Sequence, residues 1–156
     1  MARGEIMTAA HIHLLLNHIP ILGSLFGFLL WLYGTFKRSI DLKIAALWTF
    51  LIVGLITILV YLTGDGAAEI VRSLPGVSID LIARHDNAAT ITLVAIEVLA
   101  VASLFGLWTS RANRELKGWI ASVVLLLALI SSALGAWTGS IGGQIRHTEV
   151  RAGFSR

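Results

Sequence analysis

The chain has 156 residues, 56% of them hydrophobic and only 13% charged, with a formal net charge of +3. A mean hydropathy of +0.84 argues against a soluble domain, whose helices would have to be buried with no polar face. The absence of cysteine excludes disulfides, thiolate-held zinc or iron–sulfur centres and covalent c-type haem, and the basic residues flank apolar runs instead of forming the stripe that nucleic acid requires.

In chain order, the sequence predicts an all-α integral membrane protein, a single four-transmembrane-helix bundle over residues 1–156. About 20 helical residues cross a bilayer core of ~30 Å. Helix one is expected over about 8–35, with a kink at Pro20, which cannot donate to the helical ladder. The Met-Ala-Arg-Gly-Glu start carries no signal-peptide cleavage pattern. The uncharged run Ile44 to Leu62 sets helix two at about 43–63. Residues 64–77, with Pro75-Gly76, read as a lid loop, and the stretch from Ala67 to Leu74 as a short amphipathic cover. Helix three is expected over 78–109, with Ser78 as its N-cap. Helix four, built on the uncharged run Trp119 to Trp137, is expected over 117–139, where Gly139, Gly142 and Gly143 would end it.

The two short turns between these helices hold Lys37, Arg38, Lys43, Arg111, Arg114 and Lys117 against only Asp41 and Glu115. Short basic loops stay in the cytoplasm, so both termini and the 64–77 loop are expected outside, at the periplasmic face of a bacterial inner membrane. Trp31, Trp48, Trp108 and Trp119 would mark the inner interface and Trp137 the outer. An internal echo supports a duplicated helical hairpin. Thr63-Gly64 and Thr138-Gly139 open the same T-G-x-x-small-small-x-I pattern, and Ser-Leu-Phe-Gly occurs at 24–27 and again at 103–106.

All five histidines fall at one end of these spans. His11, His13 and His18 lie on helix one, His85 on helix three, and His147 beyond helix four. By rise along the helix, His13 sits ~36 Å from Lys37 and His85 ~39 Å from Arg111, so these two match in height better than His18 does. His11 and His18 share a face of helix one, whereas His13 points ~140° away from His18, so helix one cannot aim all three at one iron. Imidazoles from facing helices are what a b-type haem needs. A copper site built on His11, His13 and Met7 opposite His85 is a second reading. The third makes these interfacial histidines bonded to Asn17, Asp86 or Asn87.

The run His13-Leu-Leu-Leu-Asn-His18-Ile-Pro20-Ile-Leu resembles the H-P-x-x-V-H-F-P-I-A-L start of the bacterial membrane proteins grouped as domain of unknown function 2231. Leu14 and Ile19 stand where that family has Pro and Phe. The segment from Gly135 to His147 is similar to its closing glycine-rich motif, and Thr63-Gly64 and Arg84-His85 fit its middle. The resemblance implies a four-helix membrane protein with His13, His18, His85 and His147 at matching positions.

Glu97 is the only charge inside a span, a candidate proton relay or quinone contact, or else a structural partner of Ser131, Ser132 or Thr57. Arg72, Arg84 and Arg146 are candidate partners for haem propionates. The sequence offers no nucleotide loop, nucleophilic triad or paired carboxylates, so a stand-alone enzyme is not expected. The leading reading is a b-type haem electron-transfer protein, a subunit of a membrane oxidoreductase complex. His85 and either His18 or His13 would be its axial ligands, and a periplasmic carrier or quinone its redox partner. The alternative is a non-redox accessory subunit of a larger membrane complex. Lipid is a partner in both, and nucleic acid in neither.

Overall fold

The computed structural model describes residues 9–151. The chain runs through α1 (Ala9–Leu16), α2 (His18–Phe36), α3 (Ile40–Arg72), α4 (Ile79–Ser110) and α5 (Gly118–Arg146), then a 3-10 turn, Thr148–Val150. Among the described residues, four segments are long and apolar enough to cross a membrane: Ala10–Phe36, α3, α4 and α5. The molecule is a multi-pass membrane bundle. Neighbours in sequence pack as antiparallel neighbours in space, α2 on α3, α3 on α4 and α4 on α5, and α2 closes the ring against α5. One end carries the two short basic turns and the other the histidines.

The first span is two helices. Pro20 has no N–H for the Leu16 carbonyl, and its ring crowds that carbonyl. The ladder breaks there, with Asn17 as the turn residue. Beyond the break α1 packs on α3 and leaves the α2–α5 seam.

The turns at the basic end are tight. There Ser39 is an extended N-cap whose hydroxyl accepts the backbone N–H of Leu42, and at the opposite, histidine end Ser78 does the same for Leu81, so the predicted Ser78 cap forms. Arg38 and Arg114 both take positive φ (53° and 51°), where glycine is the usual residue. Arg114 also pairs with Asp41 across the two turns.

Two predicted boundaries are corrected. Residues 64–72 are not a lid but the end of α3, and Gly139, Gly142 and Gly143 lie inside α5, which runs to Arg146. α3 ends at Arg72 with Ser73 as its C-cap, Gly76 takes a positive φ (76°) in the turn after Pro75, and the loop is confined to 73–78. Ala67 and Ala68 are good helix formers, Ala67 is buried, and Arg72 places a cation in the last turn. These terms carry the helix past Gly64 and Gly66.

The core cluster joins Trp31, Ala46, Leu47, Phe50, Leu99, Ile120, Val124 and Ala128. All lie toward the basic end. Gly27 lets α2 close on α3, since a Cβ there would fall 2.4 Å from the Phe50 ring. Trp31 is 1% exposed and belongs to this core, not to the interfacial belt expected for it. Trp48, Trp108, Trp119 and Trp137 are exposed as a belt requires. The Ser-Leu-Phe-Gly echo recurs as one burial pattern: Ser24, Gly27, Ser103 and Gly106 are buried, and the Leu-Phe pairs between them face outward.

Candidate functional site

At the other end the packed groups are polar. The Thr92 and Thr138 hydroxyls bond to each other at 2.8 Å in a buried contact that ties α4 to α5. Two turns further out along α4, His85 directs Nδ1 at the carbonyl of Thr138, 3.2 Å away. Its ring lies on Gly142, where a Cβ would come within 2.9 Å of Cε1. On the opposite hairpin, His13 of α1 directs Nδ1 at the carbonyl of Val60, 2.9 Å away, beside the Thr63 hydroxyl. The His13 ring lies by Gly64, where an added Cβ would meet Cε1 at an ordinary contact distance, 3.7 Å.

The two arrangements are alike. Each imidazole meets a helix carbonyl and then the glycine four residues beyond it, Val60 with Gly64 and Thr138 with Gly142. Carbonyl oxygen only accepts, so each Nδ1 must carry the proton. That fixes the tautomer and leaves each Nε2 with a free lone pair. Both rings are partly buried.

The other predicted residues are not gathered with this pair. His18 is exposed at the start of α2, and His11 is exposed on α1. His147 caps α5 in the open and bonds Glu149 at 2.9 Å. Arg72, Arg84 and Arg146 are exposed. The interfacial reading named Asn17, Asp86 and Asn87 as partners, but His13 and His85 bond main-chain carbonyls, and among the described residues the buried Asn17 Oδ1 has no hydrogen-bond partner. Met7 lies outside the described residues.

Glu97 faces α3, not α5. It lies beside Gly54, where a Cβ would be at ordinary contact distance, 3.5 Å, from Oε2; the approach that requires the glycine is to Ala100, 2.7 Å from that Cβ. The expected bonds to Ser131, Ser132 or Thr57 do not form. Thr57 donates to Val53 within its own helix, while Glu97 Oε1 and both serine hydroxyls are buried without partners among the described residues.

Sequence reasoning missed Arg151. Its guanidinium donates to the carbonyls of Gln144 and Ile145 at the end of α5 and to that of Gly76, locking the 73–78 loop onto α5. A cation within a turn of a helix C-terminus was the available signal.

Comparison with known protein families, with curated proteins and with solved structures found no match.

Proposed function

We propose that this chain is a membrane electron-transfer protein that binds non-covalent haem b, with His13 and His85 as the axial ligands. One observation carries the reading: two part-buried imidazoles at the same end of the bundle, each with Nδ1 committed to a backbone carbonyl. Outer bonds of this kind orient an imidazole and raise its basicity toward a metal. A haem supplies four equatorial donors and a one-electron couple, and so asks the protein for two such groups.

The chain's own residues would do the rest. The Thr138 and Val60 carbonyls hold the rings in register, and the Thr92–Thr138 bond keeps the α4–α5 carbonyl in place under His85. Gly142 leaves the imidazole room to lie flat on α5. Copper is less well supported, because a bare ion needs three or four protein donors. Among the described residues no group of three His, Asp or Glu comes together. Kinship with the domain of unknown function 2231 proteins belongs to the same proposal, which takes His13 over His18 because His18 is exposed.

The test is a pyridine haemochrome assay and absorption spectrum of the purified protein. The expected result is one haem b per chain with a low-spin spectrum. His85→Ala and His13→Ala should lose it, and His18→Ala should keep it. A colourless wild-type protein sinks the reading, and stoichiometric copper in its place would promote the metal-ion site.

A further inference from the structure

We propose that the basic end of the bundle carries a binding site for an anionic phospholipid, with the lipid phosphate held between Arg38 and Lys43. This site lies at the end opposite the histidines and does not depend on haem. A crevice of about 210 Å³ opens where the α2–α3 turn meets Leu116 of the α4–α5 turn. Its walls are Thr35, Arg38, Ser39, Ile40, Lys43 and Leu116.

Two cations and no acid face this crevice. Arg38 is exposed and Lys43 half-buried, and among the described residues neither has a carboxylate partner. The acids of the two turns are placed elsewhere. Asp41 pairs with Arg114, and Glu115 is exposed and outside the lining. Lys43 instead sets its ammonium over the buried Trp31 ring, 5.8 Å from the centroid. A ring face attracts a cation but leaves its charge in place, so two like charges line one concavity without a counter-charge. The Ser39 hydroxyl accepts the Leu42 N–H and keeps its own proton to donate. A guanidinium, an ammonium and a hydroxyl together are a donor set for phosphate oxygens.

The surroundings make that phosphate a lipid's. Ile40 and Leu116 give the crevice apolar walls, and Leu116 packs against the core. Tyr33 and Phe36 are exposed at the same end of α2, with the Lys37 ammonium over both rings, as befits a headgroup layer. Basic pockets between membrane helices are where acidic headgroups bind.

The test is native mass spectrometry of the detergent-purified full chain, titrated with phosphatidylglycerol or phosphatidylcholine. Phosphatidylglycerol should bind about tenfold more tightly. Arg38→Gln with Lys43→Gln should abolish that preference. Lys37→Gln with Arg111→Gln removes the same charge from side chains that lie over aromatic rings outside the crevice, and should keep it. Because Lys43 touches the core, Arg38→Gly separates lipid binding from folding. Arg38 has φ 53°, which glycine adopts without penalty, so this variant should be at least as stable as the parent and still lose the preference. Equal binding of the two lipids, equal losses in the two double variants, or retained preference in Arg38→Gly overturns the site. Displacement of the lipid by millimolar inorganic phosphate would assign the crevice to a soluble anion and overturn the lipid.

Discussion

The two ends of the bundle are built on different principles. At the basic end, Trp31, Phe50 and Leu47 fill the space between helices that glycines allow to approach closely. In lipid such packing, more than expulsion of apolar surface from water, drives helix association. At the histidine end the contacts between helices are hydroxyls, imidazoles and carbonyls, with glycine where a ring must lie. Apolar packing is concentrated at one end and the proposed haem site at the other, so on that proposal a substitution should disturb one property with little effect on the other.

The largest separation is expected from Phe50→Ala. Phe50 is fully buried against Gly27, and its loss should cost about 3 kcal/mol or more. Denaturant titration in detergent should show that loss while the remaining folded protein keeps its haem spectrum. His85→Ala should do the reverse, removing the spectrum while lowering stability by about 1 kcal/mol or less. A large stability loss in His85→Ala would end the division between the two regions.

Adjacent glycines sharpen the comparison. A Cβ at Gly142 would press on the His85 ring, whereas one at Gly143 would meet nothing within 4 Å. Gly142→Ala should weaken haem binding severalfold. Gly143→Ala should leave it unchanged and stabilise α5 by about 0.5–1 kcal/mol, the usual gain of alanine over glycine in a helix. Equal effects of the two would mean that His85 is not seated as described. Thr138→Val, which breaks the buried bond to Thr92, should cost about 0.6 kcal/mol and shift the haem potential.

The smallest effect lies outside the bundle. The Glu149 carboxyl is held below its ordinary range by its own backbone N–H and then by the His147 ring. A depressed carboxylate contributes above its unfolded pKa and loses that contribution as pH falls through its folded value. The His147–Glu149 contact should therefore survive acidification to the ordinary carboxylate range and be lost below it, as followed by the His147 ring resonances. Haem binding should not follow that titration.

The spans were legible in the sequence because long uncharged runs leave the backbone no alternative to helix in a membrane. The Ser78 cap and the break caused by Pro20 were legible too, since both act through bonds a few residues away. The glycines misled. Gly64, Gly139, Gly142 and Gly143 read as helix stops, yet none of them takes the left-handed backbone by which glycine ends a helix; among the described glycines only Gly76 has a positive φ, in the turn after Pro75. Trp31 misled similarly, because an aromatic near a span's end fits the belt or the core equally well until its neighbours are known.

The sequence by itself determined that this is a four-span helical membrane protein, and that its histidines gather at the end away from the short basic turns. Hydropathy and local charge are properties of the chain, and they suffice for that. Only the tertiary structure decided which histidines turn inward. His13 and His18 differ by a rotation about one helix, and the break at Asn17, the carbonyl of Val60 and the space above Gly64 fix that rotation. The break is local to the chain, but Val60 is 47 residues from His13 in sequence, and only the packing of α1 on α3 brings the two together.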